Sequence, residues 1–239
     1  MLGLAADDPE STDDVLAWLT GPPGDPGPHA PVFVEYPDAG SRLVLAATHD
    51  GVLHAFDADS GIEQWAWLPQ ELLPRLAALM RNERTTVRDH GIDGPLVLHR
   101  HDPNGDGVID PGAGEHLWLF FGLGRGGSRY YALDISDGDD PVLLWAATLP
   151  DAGDEEAWAE PVLTRLVIDG SGQSAGHWVA LLSGGYGRQF DAADAPPAGP
   201  GAALHVVDAF TGRLLWSGGG ATDSDLQIPG LVASLPSAP

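Results

Sequence analysis

The chain has 239 residues, 43% of them hydrophobic, enough to bury a sizeable core. Its 11 basic residues are all arginine and face 35 acidic ones; the resulting net charge of -24 favours cations and argues against nucleic acid as a partner. There is no cysteine, which excludes a disulfide framework, a thiolate zinc site and a cysteine nucleophile.

The first 31 residues read as a lead-in and linker. Asp7, Asp8, Glu10, Asp13 and Asp14 stand where an export signal would need a basic and then an apolar run. Val15, Leu16 and Leu19 share one face of a short helix over 13–19, with Thr12 or Asp13 as its cap. A Pro/Gly linker follows over 21–31. No later run approaches the ~18 apolar residues of a membrane span.

From Val32 onward, short β-branched and aromatic runs alternate with turn residues. Strands are predicted at Val32–Tyr36, Leu43–Thr48, Val52–Asp57 and Gln64–Leu68. An amphipathic helix is predicted over Pro69–Arg81, because Leu72, Leu73, Leu76, Leu79 and Met80 recur at helical spacing. A second set of strands follows at Leu96–Arg100, His116–Gly122, Tyr130–Ile135 and Val142–Leu149. A third covers Val162–Ile168, His177–Leu182, Ala203–Asp208 and Arg213–Trp216, before a tail over 221–239.

Each set ends in the same hairpin. Asp57, Gly61 and Trp65 return in the same order and spacing as Asp208, Gly212 and Trp216. Asp134 and Gly138 begin a third copy, whose Trp145 is delayed by Asp139-Asp140-Pro141. Such recurrence marks a repeat protein. Four antiparallel strands per repeat make the blade of a β-propeller, so the fold class is an all-β, partial β-propeller over 32–220 with one inserted helix. A propeller closes with at least about four blades; three are legible, and further blades are expected beyond them. The hairpin tryptophans Trp65 and Trp216 are expected to be interior, docked where neighbouring blades face each other.

The strongest chemical motif lies inside the second set. His101-Asp-Pro-Asn-Gly-Asp-Gly-Val-Ile-Asp110 places oxygen donors at alternate positions, with a glycine where the loop must turn sharply. Asp102, Asn104, Asp106, the Val108 carbonyl and Asp110 are the candidate metal ligands, with Ile109 as the apolar anchor. A flexible all-oxygen cage suits Ca2+ better than Mg2+. The loop departs from a helix-loop-helix site at position twelve, where Ala113 replaces the bidentate acid; Glu115 sits two places late. The flanks read as strands, so the loop is strung across a β-hairpin.

Two weaker signals carry less. Gly122-Leu-Gly-Arg-Gly-Gly127 matches the spacing of a dinucleotide fingerprint, but a strand follows it, leaving no helix N-terminus for a phosphate. It reads as a blade turn. His99 and His101 share one strand face, without a third nitrogen or thiolate nearby in sequence, and read as solvated side chains.

The strings His49-Asp-Gly-Val-Leu-His-Ala-Phe-Asp57, Ile92-Asp93-Gly94, Gly124-Arg-Gly-Gly-Ser-Arg-Tyr-Tyr-Ala-Leu-Asp134 and Ser183-Gly-Gly-Tyr186 resemble the PilC/PilY family of type IV pilus biogenesis factors and tip adhesins. The resemblance covers nearly the whole chain. It implies a propeller of quinoprotein-like blades, exported to the outer membrane and pilus tip, with calcium regulating pilus extension and attachment. It implies pilus subunits or other pilus-machinery proteins as partners, with host or surface receptors engaged through regions outside this chain. An enzyme is not expected. The alternatives are a quinone-dependent dehydrogenase fragment, since the blade hairpins are alike, and a metal-free periplasmic scaffold. Function has to be argued from a site, and no stretch combines a catalytic acid with cofactor-binding basic groups.

Overall fold

The computed structural model describes residues 30–37, 40–74, 90–149, 156–168, 176–183 and 203–219, and the backbone of 231–233. The first sheet has the order β1-β2-β3-β4, from β1 (Val32–Tyr36), β2 (Ser41–Ala47), β3 (Leu53–Asp57) and β4 (Glu63–Trp67). The second runs β5 (Val97–His101), β6 (His116–Gly122), β7 (Arg129–Asp134) and β8 (Val142–Thr148) in the same order. The third contains β9 (Val162–Ile168), β10 (His177–Ser183), β11 (Ala203–Asp208) and β12 (Leu214–Gly219). Each set is four antiparallel strands in sequence order, the blade expected from the repeats. A fifth strand, β13 (Leu231–Ala233), pairs antiparallel with β9 inside the tail, where no strand was expected.

The repeats match in detail. In each β-hairpin the register shifts immediately before the signature aspartate: at Ala55/Phe56, Ala132/Leu133 and Val206/Val207. The aspartate then caps its own turn. Asp57 Oδ1 accepts from Ser60 N and Oγ, Asp208 Oδ1 from Thr211 N and Oγ1, and Asp134 Oδ1 from Ser136 N and Oγ. The Ser60 bonds hold the Asp57 carboxyl below its usual pKa, because they favour the charged form. Gly61 and Gly212 close the turns at φ 70° and 66°, a region costly for other residues.

The core lies between blades. Strand alternation sends Leu117, Leu119 and Phe121 of β6 towards the first blade, where they meet Leu43, Leu45 and Leu53. Trp118 and Phe120 point the other way, into a second core with Ala180, Leu182 and Val207. Strand β6 is therefore buried on both faces, and its leucines and phenylalanines each contribute about 1.5–3 kcal/mol by burial.

The hairpin tryptophans join blade to blade. Trp65 Nε1 donates to Gly138 O at 2.8 Å, in the turn of the second blade. Trp145 Nε1 donates to Ala209 O at 2.9 Å, in the turn of the third. Of the three hairpin tryptophans, only Trp145 is buried. Trp65 and Trp216 are half-buried, contrary to expectation: all three rings stand on the outer strand of their sheet, but only that of Trp145 is covered by the next blade's turn, with Gly212 pressed against it. The inserted helix begins as a single 3-10 turn, Gln70–Leu72, and Leu72 is buried against the first core. The remainder of that expectation, from residue 75, and the lead-in over residues 1–29 lie outside the described residues.

Candidate metal centre

The acidic loop connects β5 to β6 and is curled by its own side chains. Asp102 accepts from Gly105 N through Oδ1 at 2.7 Å and from Gly107 N through Oδ2 at 2.9 Å. Asn104 Oδ1 accepts from Asp106 N, and Asp106 Oδ1 from Val108 N, each at 2.8 Å. Gly107 has φ 82°, the sharp turn the spacing requires. Ile109 is buried and anchors the loop as expected. The loop closes through a 3-10 turn, Pro111–Ala113, with Asp110 Oδ1 accepting from Gly112 N.

Asp102, Asp106 and Glu115 each present a carboxylate oxygen within 4.8 Å of the other two. Glu115 is the residue that sequence spacing underrates. It is only 2% exposed, and its Oε2 accepts from Asp110 N at 3.0 Å while Asp110 O accepts from Glu115 N at 3.1 Å. The turn over 111–114 brings it back towards the loop and offsets its late position in sequence. Asp110, Asn104 and the Val108 carbonyl belong to the same short loop, but the structure does not place Asp110 in the three-carboxylate cluster. Oxygen donors alone, with one buried acid among them, fit a hard cation.

The loop is tied to the neighbouring blade. Arg100 donates from Nη1 to Gly107 O at 2.7 Å and from Nη2 to Glu35 O, on β1, at 3.0 Å. At the exit of the loop His116 Nδ1 lies 2.8 Å from Asp134 Oδ2, which links it to the aspartate of the second hairpin. A change in the loop therefore has a direct route to the first blade junction.

His99 and His101 are packed rather than solvated. His99 stacks on Trp118 and meets Trp178 edge-on at 4.2 Å between ring centroids; His101 stacks on Trp118. Burial pushes the His99 pKa down from 6.5 to about 4, with the neighbouring His101 and Arg165 adding to the effect. A histidine buried neutral contributes stability above its unfolded pKa and loses it as pH falls through the folded value. Thermal stability is thus expected to fall between pH 6.5 and about 4 by on the order of 1–2 kcal/mol, allowing for solvent screening. A His99→Gln variant followed by thermal melts across that window should flatten this segment of the curve; an unchanged slope would remove His99 as its cause.

The glycine fingerprint is a blade turn between β6 and β7, and its glycines answer to crowding. A Cβ on Gly122 would stand 2.3 Å from Ala157 O, and one on Gly126 1.7 Å from Gly91 O. The arginine among them has a partner that sequence reading missed. Arg125 donates from Nε to Asp93 Oδ2 at 2.5 Å and from Nη2 to Asp93 Oδ1 at 3.0 Å, and Asp93 is only 3% exposed.

No protein-family model matches the chain. It is 28% identical over 206 residues to the type IV pilus biogenesis factor PilY1 of Pseudomonas aeruginosa strain UCBPP-PA14, covering 84% of this chain and 15% of the relative. It is 31% identical over 144 residues to a PilY1 homologue of Xylella fastidiosa, covering 60% of this chain and 10% of the relative. The chain thus spans a small part of the length of both. Among solved structures, the C-terminal domain of P. aeruginosa PilY1 matches with a TM-score of 0.50 and 24% identity, over 77% of this chain and 32% of that one, a likeness of fold. Over most of its length this chain is thus similar in sequence to the PilY1 type IV pilus biogenesis factors, and its described sheets are blades of a β-propeller.

Proposed function

We propose that the chain is a calcium-binding propeller module of a type IV pilus biogenesis and tip-adhesin protein, exported to the outer membrane and cell surface, where calcium regulates pilus extension and attachment. In this reading its partners are pilus subunits or other pilus-machinery proteins, receptors are engaged by regions outside the chain, and the module carries no turnover. The observation that supports it most is the convergence of Asp102, Asp106 and the buried Glu115 at a loop that Arg100 ties to the first blade. Asp102, Asn104, Asp106, the Val108 carbonyl, Asp110 and Glu115 supply the oxygens. Calcium would relieve the repulsion among the carboxylates and hold the loop against β1, so that the blade junction responds to the ion. Ala113 at position twelve offers no bidentate acid, so the affinity is expected in the weak range of extracellular modules, about 10⁻⁵ to 10⁻³ M.

Calorimetric titration checks this directly. Calcium should bind with one site per chain and magnesium more weakly. Asp102→Ala should abolish the isotherm, because Asp102 both orders the loop and belongs to the cluster. Asp110→Ala and Glu115→Gln should each weaken binding, and cells carrying Asp102→Ala should lose any calcium dependence of surface pilus number. An isotherm for Asp102→Ala matching the wild type would sink the reading.

A further inference from the structure

Three of the strings with the clearest sequence character meet at one place. The turn His49-Asp50-Gly51 joins β2 to β3, Ile92-Asp93-Gly94 precedes β5, and Gly124-Arg125-Gly126-Gly127 joins β6 to β7. Backbone bonds link them: Ile92 N donates to Thr48 O at 3.3 Å and Asp93 N to Leu123 O at 3.1 Å. Their glycines permit the approach. A Cβ on Gly91 would fall 2.2 Å from Gly51 N and 2.7 Å from His49 O, and one on Gly124 2.8 Å from Asp93 C.

This packing presents two imidazoles and one carboxylate to each other. His49, His90 and Asp93 each offer a ligand atom, all within 4.8 Å of one another. The rings of His49 and His90 are T-shaped at 5.5 Å, so they do not stack. His49 Nδ1 lies 3.9 Å from Asp93 Oδ1, beyond hydrogen-bond reach. Both ring nitrogens of His49 are shielded from solvent and have no hydrogen-bond partner among the described residues. A shielded imidazole with neither nitrogen satisfied, next to a second imidazole and a buried carboxylate, is an unstable arrangement by itself. A tetrahedral ion with ligands at about 2.0–2.1 Å sets them about 3.4 Å apart, so a small closure of the 3.9 Å gap completes the geometry.

We infer that His49, His90 and Asp93 form a second metal site, for a first-row transition metal of the zinc class. Imidazole nitrogen suits such ions, whereas calcium takes oxygen ligands, so the site is chemically distinct from the acidic loop. It is also spatially distinct. The site sits where β5 begins and β6 ends, and the loop sits where β5 ends and β6 begins, so the two lie at opposite ends of the second blade. Arg125 occupies one lone pair on each oxygen of Asp93 and leaves others for a metal. A ligating carboxylate held by a second partner is the usual arrangement around such ions. Because His49 belongs to the first blade and Asp93 to the lead into the second, the ion would clamp the two blades together.

The test is zinc titration of the metal-stripped chain against a chromophoric chelator, with calcium present in excess to occupy the loop. One zinc per chain is expected. His49→Ala and His90→Ala should each weaken it by at least about tenfold, the lower limit for losing even an outer partner. The double variant Asp102→Ala/His101→Ala should bind zinc as the wild type does. Circular dichroism establishes that each variant is folded. Independently of any variant, cobalt(II) bound to the wild type should give the intense visible absorption of a tetrahedral site. Zinc affinity unchanged in both histidine variants, lost with His101 and Asp102 instead, or undetectable in the wild type alongside a featureless cobalt spectrum would each overturn the inference.

Discussion

Replacing Trp145 with alanine is expected to destabilise the chain by about 3–5 kcal/mol, the usual cost of truncating a large buried aromatic. The ring is 7% exposed and belongs to the core between the second and third blades, beside Phe120 at 6.0 Å. Its Nε1 donates across the junction to Ala209 O, so the substitution opens a cavity and also leaves that carbonyl without its donor. Gly212 presses on the same ring: a Cβ there would stand 2.7 Å from Trp145 Cγ, on a residue at φ 66°. Gly212→Ala should therefore destabilise the same junction through the turn. Urea titration followed by circular dichroism checks both, and a Trp145→Ala midpoint within error of the wild type would show that the junction does not depend on this ring.

Arg125→Ala should cost about 3 kcal/mol, towards the lower end of what breaking a buried ion pair costs, since the arginine side chain retains 28% exposure. The penalty arises from the survivor. Asp93 would remain buried without the two-point donor that now partners it. Lysine cannot reproduce the fork, so Arg125→Lys should recover only part of the loss. The contrasting control is Arg42→Ala. Its partner is Asp59, both side chains are about half exposed, and a surface pair of this kind is worth at most about 1 kcal/mol. Equal melting temperatures for the Arg125 and Arg42 variants would refute the distinction.

These two residues also mark the boundary of what sequence reading can reach. The strands were legible because their signals are local: β-branched and aromatic runs, alternation along each strand, and turns rich in glycine and aspartate. The Asp…Gly…Trp hairpin was legible because it recurs, and recurrence implies stacking of like units. The oxygen-rich loop was legible for the same reason of locality, since five of its oxygen atoms lie within nine consecutive residues. Glu115 was underrated because spacing along the chain ignores the turn at Pro111–Ala113 that carries it back and buries it. His99 and His101 read as solvated in sequence because much of their cover comes from Trp178 on another blade. The burial of Trp145 relative to Trp65 and Trp216 depended on what the neighbouring blade packs over each ring, and no single hairpin encodes that.

The amino-acid sequence alone determined that the chain would form repeated four-stranded sheets with an oxygen-rich loop in the second of them, because hydrophobic period, turn chemistry and ligand spacing act over fewer than about a dozen residues. Tertiary structure decided everything that depends on how one blade meets the next. It set Arg100 across the loop and β1, Trp145 against the third blade's turn, and Arg125 on Asp93, from residues 32 positions apart in the last case. It also brought His49 beside His90 and Asp93. These pairings arise only when the sheets stack, since the glycines that allow their turns to touch show their purpose only against the opposing backbone.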